Sequence, residues 1–188
     1  DYFNTKLYTG TGSTQSITGV GFQPDWVWCK TRNDTQDHQL IDVVRGVTKT
    51  IASNGSAAEF TDSNGLTAFG TDGFTVGSSG GINGSGDTLV SWNWKAGNAQ
   101  GSSNTDGSIN TTYTSVNTTA GFSISQYTGT SSAGTIGHGL GVAPKMILTK
   151  RITGGAEDWG VYHVGLSSAA HYLKLNAQDA EGSSSGVW

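Results

Sequence analysis

Apolar residues occur along this chain in short bursts, set apart by Gly, Ser, Thr and Asn. That pattern predicts short strands joined by turns and leaves no room for long helices. Phe3, Thr5 and Leu7 alternate, predicting a strand over residues 1–8, and residues 13–18 read as a second, Thr/Ser-rich one. Over residues 25–31, Trp26, Trp28 and Lys30 point one way, and Val27 and Cys29 the other. Both faces are apolar, so this strand belongs in the middle of a sheet with material on either side. Residues 40–44 and 161–164 read as further strands, while 46–53 and 167–173 allow a turn or two of helix. Asp72 and Gly73 separate Leu66–Phe69 from Phe74–Val76, a strong hairpin signal. Residues 77–87 read as a floppy Gly/Ser/Asn loop. Residues 88–95 read as a strand with Val90, Trp92 and Trp94 along one face.

The pattern repeats. Gly-x-Gly-x-x-Pro, a charge and an apolar run closed by Lys occupy residues 19–30 and return over 139–150. Tyr8-Thr9-Gly10-Thr11 returns letter for letter as Tyr127-Thr128-Gly129-Thr130, 119 residues on, and Pro24 returns as Pro144, 120 residues on. Pieces kept in order at a nearly constant offset indicate an internal duplication. The expected fold is all-β, an antiparallel sandwich of lectin or jelly-roll type. Residues 1–97 form one repeat, 98–120 a Gly/Ser/Thr-rich linker with an extended strand, and 121–188 a second, C-terminally incomplete repeat. Tyr8, Pro24, Trp26, Trp28, Tyr127, Pro144, Met146 and Leu148 are the expected repeat core. The hairpin and Trp-rich strand that close the first repeat have no counterpart in the second. Either the chain is a piece of a longer protein, which is the favoured expectation, or a neighbouring chain supplies the strand by edge pairing.

Composition sharpens this picture. Apolar residues make up 34% of the 188, so each unit has a thin core, for which six Trp, six Tyr and six Phe compensate with large rings. The net charge is −4 with no Lys/Arg cluster, which argues against a nucleic-acid partner. No apolar run is long enough for a spanning helix, so no membrane insertion is expected. The chain starts at Asp1 without a leader, as expected of a processed, tag-cleaved or excised N-terminus. Cys29 is the single cysteine, which excludes an internal disulfide framework and a cysteine metal cluster; a small buried thiol is expected.

Candidate chemistry is sparse. His38, His138, His163 and His171 lack ligand spacing, and no metal or cofactor is expected. No Gly-x-Ser-x-Gly elbow is present, Asp42 is the best-placed acid, and Glu59 and Glu181 lie in polar loops. The chain therefore reads as a non-enzyme, with a glycan-cleaving enzyme the least favoured alternative. The acidic loops 33–37 and 83–87 carry oxygen ligands but match no calcium-loop pattern, so exposed turn carboxylates are expected there. Trp26, Trp92 and Trp94 are expected to be mostly buried. Trp159, following a loop acid, is expected to show a face to solvent; with Asp37 and Asp158 it forms the candidate ligand-binding set for a sugar ring.

Tyr-Thr-Gly-Thr-Gly-Ser-Thr, Gly-Val-Gly-Phe-Gln-Pro-Asp-Trp-Val-Trp, Val-Val-Arg-Gly-Val-Thr-Lys, Val-Ser-Trp-Asn-Trp-Lys-Ala-Gly and Gly-His-Gly-Leu-Gly-Val-Ala-Pro-Lys-Met-Ile also carry a resemblance. Over essentially its whole length the chain resembles an uncharacterised repeat family of virion proteins in tailed bacteriophages, especially marine and cyanobacterial ones. The resemblance implies a virion location, in a tail-fibre-like or otherwise surface-exposed, extracellular component, and supplies no mechanism. Taken with the duplication, the low charge and the Gly/Ser/Thr composition, it makes assembly and host attachment the expected function, with further copies of the chain, other virion proteins and host surface glycan as expected partners and a lectin-like carbohydrate-binding module as the alternative. It implies no catalytic residues. In that family the second unit runs on to a further Gly-x-Thr-Tyr-x-Ala-Tyr-type strand, which this chain lacks.

Overall fold

The computed structural model describes residues 1–184. The N-terminal half contains β1 (Phe3–Thr9), β2 (Gln15–Thr18), β3 (Trp26–Thr31), β4 (Gln39–Asp42) and β5 (Lys49–Ala52). β6 (Phe60–Thr61), β7 (Leu66–Gly70), β8 (Gly73–Val76), the single turn α1 (Gly80–Asn83) and β9 (Thr88–Trp94) follow. Two antiparallel sheets result, in the orders β1-β9-β3-β4-β5-β6 and β2-β8-β7. They pack face to face: Val27, Cys29, Ile41 and Leu89 of the larger sheet meet Ile17, Leu66, Phe74 and Val76 of the smaller, with Ile82 of α1 beside them. This is the all-β, sandwich-like fold that the alternation calls for. β3 is hydrogen-bonded to β9 on one edge and to β4 on the other, as its two apolar faces require.

β1 falls where the alternation puts a strand, with Asn4, Lys6 and Tyr8 half-buried and Phe3 and Leu7 facing solvent. Three expectations are corrected. Residues 46–53 form no helix. Asp42 accepts the Arg45 N–H and closes a turn, Gly46 and Thr48 adopt positive φ, and the β-branched Thr50 and Ile51 then continue as strand. Residues 167–173 likewise turn into β14 (His171–Lys174) instead of coiling. Residues 77–87 are not floppy either. The buried Asn83 side chain donates to the carbonyls of Ser13 and Gly77 and accepts from Thr11 N and Gln15 Nε2. One amide thereby fixes the loop across the end of the smaller sheet.

The C-terminal half holds the hairpin β10 (Thr111–Asn117) and β11 (Phe122–Tyr127), and a sheet ordered β12 (Met146–Thr149), β13 (Gly160–His163), β14, β15 (Gly182–Ser183). Its register follows that of β3-β4-β5-β6 position by position. Trp26 faces Asp42 where Met146 faces His163, Leu40 faces Ile51 where Val161 faces Leu173, and Lys49 faces Thr61 where His171 faces Ser183. The halves pack through one face each: Trp159, Leu148, Ile152 and Leu175 close over Leu40, Ile51, Trp26 and Trp28. Phe122 lies 5.3 Å from Trp26 and 6.3 Å from Trp94, centroid to centroid. Trp26, Trp92 and Trp94 are thus mostly buried, as expected, though none is sealed from solvent. Residues 96–104 are not a free linker at their start: the buried Asp25 carboxylate accepts the N–H groups of Ala96 (2.6 Å) and Asn98 (2.9 Å), and Gln100 donates to Val44 O.

Candidate functional site

The sugar platform expected of Trp159 is overturned. Its side chain is only 4% exposed, wedged against Leu40 and Ile51, and its Nε1 donates to Ala52 O at 2.9 Å. Trp159 sits at the position of His38, whose ring lies against Trp28, so the larger indole fills the space between the halves. Asp37 and Asp158 are exposed but engaged in matching clips. Asp37 accepts from Asn54 Nδ2 at 2.8 Å while Asn54 Oδ1 accepts from His38 N. Asp158 accepts from Asn176 Nδ2 at 2.8 Å while Asn176 Oδ1 accepts from Trp159 N. The three candidate residues therefore do not form one site; each acid tethers the start of a strand.

The other candidate acids are tied into structure too. Asp42 and Arg45 form a buried pair at 2.6 Å, and Arg45 reaches Glu59 at 3.3 Å as well as the carbonyls of Leu40 and Lys49. Glu181, at the position of Glu59, accepts from Ser167 N and lies 2.6 Å from His171. The Ser167 amide and the His171 contact hold its carboxyl below the usual glutamate range. Asp25 shifts the other way, because burial outweighs the amides that bond it. The Cys29 thiol is buried as expected, and burial pushes its pKa up to about 12. Among the described residues no three His, Cys, Asp or Glu side chains cluster as a metal site would require.

Both halves expose apolar residues, Phe3, Leu7 and Phe60 among them in the first, but the C-terminal half does so at positions whose counterparts are covered. Tyr127, Val142, Met146 and Val164 are 43%, 69%, 53% and 53% exposed. Tyr127 and Met146 are therefore not core, contrary to expectation. The residues at matching positions are covered: Phe22 and Val43 are 4% and 8% exposed, Tyr8 packs on the main core, and Trp26 packs beneath Trp94 and Phe122. The same loss shows on the inner face. Val27, Cys29 and Ile41 are sealed by the smaller sheet, whereas Ile147, Thr149 and Tyr162 are only half-buried.

The Gly-x-Gly turns make the contrast at backbone level. Gly19, Gly21, Gly139 and Gly141 all hold φ between 72° and 88°, a region that favours glycine. In the first turn the amides of Gly19 and Gly21 donate to the two carboxylate oxygens of Asp72, at the tip of the β7–β8 hairpin, at 2.9 and 2.6 Å. Those two amides hold the Asp72 carboxyl below the usual range. In the second turn no described carboxylate caps Gly139 and Gly141. There the surface sinks into a shallow depression of about 450 Å³ lined by Asp106, Ile136, His138, Gly139, Gly141 and Val142. The sequence signal for this surface was the missing counterpart of β9. Met146 matches Trp26 in sequence but lacks the cover that Trp94 and Phe122 give Trp26.

The whole chain, residues 1–188, matches one family model, described as a domain of unknown function, DUF7483. No curated protein and no solved structure matches it. The chain belongs to the DUF7483 family.

Proposed function

We propose that this DUF7483 chain is a structural and adhesive module of a bacteriophage virion exterior, built from two copies of one β unit, which acts by assembly and attachment. The observation that carries the reading is that Tyr127, Val142, Met146 and Val164 are exposed where their matching positions are covered. Covering what remains exposed of Met146 or Val142 contributes roughly 1–2 kcal/mol each before the cost of association, and surfaces of this kind mark interaction sites. The motif resemblance supplies the virion setting, and the engagement of Asp37, Asp42, Glu59, Asp158 and Glu181 in turns and latches agrees with a role without catalysis. Trp159, the ring on which carbohydrate binding would rest, is buried.

Sedimentation velocity across a wide concentration range tests the assembly reading. Association that strengthens with concentration, and that Val142→Asp weakens, is the expected result. A chain that stays monomeric throughout, and that mass spectrometry does not find in purified virions, overturns it.

A further inference from the structure

A depression of about 380 Å³ lies at the first Gly-x-Gly-x-x-Pro corner, lined by Gly21, Phe22, Gln23, Thr71, Lys95 and Asn98. The depression at Gly139, Gly141 and Val142 occupies the matching corner of the second copy. The same corner is hollow twice, but only the first carries a dedicated set of polar side chains.

That set is arranged by a carboxylate that water does not reach. Asp25 is 0% exposed. Its Oδ2 accepts Ala96 N at 2.6 Å and Asn98 N at 2.9 Å, and its Oδ1 accepts Gln23 Nε2 at 3.0 Å. One buried acid thus ties down the Gln23 amide, the chain as it leaves β9 past Lys95, and Asn98 at a positive φ of 62°. The corner closes without these groups. The second copy keeps both positive-φ glycines and the proline, with Ala143 in place of Gln23 and Lys145 in place of Asp25. Around the first depression the Lys95 ammonium, the Asn98 carboxamide and the Thr71 hydroxyl make no hydrogen bond or ion pair with a described residue. Gln23 donates to Asp25 and keeps its Oε1 as an acceptor.

Lys95 sets the sign of the charge presented there. Both oxygens of the neighbouring Asp72 are taken by the Gly19 and Gly21 amides, and Lys6 offsets its charge. Asp25 is withdrawn from solvent. An ammonium selects an anion, whereas carboxamides and a hydroxyl both donate and accept, as sugar hydroxyls do. We propose that this corner binds an acidic sugar, a single pyranose ring whose carboxylate meets Lys95 and whose hydroxyls meet Gln23, Thr71 and Asn98. The volume is near the lower end for ligand pockets and suits one ring. This gives the attachment part of the proposed function its ligand chemistry and rests on that reading. Phe22 is 4% exposed, so the depression offers no aromatic face for stacking. One ring therefore binds in the millimolar range, and strength comes from several copies acting together.

Glucuronate, glucose and acetate, each titrated into the isotope-labelled 188-residue chain and followed by amide NMR shifts, test the site. Glucuronate should give saturable shifts confined to Gly21, Gln23, Thr71 and residues 95–98, with glucose and acetate each weaker by about tenfold or more. Lys95→Gln, with folding checked by circular dichroism, should weaken glucuronate by about tenfold or more, and Lys95→Arg should retain most of the binding. Acetate binding as tightly as glucuronate would make the corner a plain anion site, and glucose doing so would remove the carboxylate from recognition. Either result overturns the proposal, as does the absence of saturable shifts at these residues. Sedimentation reads assembly separately: association without glucuronate binding removes the acidic-sugar site and leaves the assembly reading standing.

Discussion

Single side chains here show how one position does different work in two matching settings. Trp159 and His38 hold equivalent places, but the indole bridges the halves while the imidazole lies beside Trp28. Trp159→Ala removes a buried ring and its hydrogen bond, and is expected to lower unfolding free energy by about 3–5 kcal/mol in urea titration; a loss below 1 kcal/mol would contradict its wedging role. His38 receives the Trp28 Nε1–H at its Nδ1, at 3.3 Å, and burial together with Lys30 holds its pKa below the ordinary 6.5. A lowered histidine favours the folded state while neutral, so this contribution is present above 6.5 and is lost as pH falls through the lower folded value. NMR titration of His38 should give a midpoint below 6.5, and Trp28→Phe should raise it. Cys29, with its thiol pushed up to about 12, should resist thiol reagents in the native protein and react readily in urea.

At the scale of elements, the strands were legible wherever alternation and turn residues agreed. β3, the β7–β8 hairpin and β9 fall where the apolar spacing and Asp72-Gly73 put them. What was not legible depended on distant partners. Nothing local in residues 77–87 shows that Asn83 will be buried with four hydrogen bonds reaching as far as Thr11 and Ser13. Nor does the run around residues 46–53 reveal that Asp42 and Arg45 close a turn before a strand. Trp159 was misplaced for the same reason: a Trp after a loop acid looks exposed until the other half is brought against it. The turn capped by Asp72 offers a test with a definite sign. Its carboxyl is held low by the Gly21 and Gly19 amides, so its contribution is present above the ordinary carboxylate pKa and is lost as pH falls through the folded value. Asp72→Asn should therefore lower the thermal midpoint at pH 7 and leave it nearly unchanged near pH 2. An equal drop at both would mean that charge plays no part.

For the molecule as a whole, the question is whether the halves are separate beads or one folding unit. The face of the larger N-terminal sheet that bears Trp26, Trp28, Leu40 and Ile51 has no cover of its own; the C-terminal half provides it. Across the same boundary Lys150 Nζ donates to Ser56 O, Glu157 N to Ser56 O, and Glu59 N to Ile152 O. The strand pattern alone leaves open whether the two repeats pack as two domains or as one sandwich, because it cannot say that the outer face of one sheet is the floor of the next. With a boundary this apolar, neither half should unfold while the other persists. Urea unfolding followed by tryptophan fluorescence and by far-ultraviolet circular dichroism should give one coincident transition. Leu40→Ala and Trp159→Phe should couple in a double-mutant cycle, by about 0.5–3 kcal/mol. Two separated transitions with an additive cycle would instead make the C-terminal half an independent domain. In that case its exposed residues would belong to a locally unstable element, and Tyr127, Val142 and Met146 would lose their standing as a prepared surface. A single transition means that the two halves fold as one cooperative unit, each supplying part of the other's core.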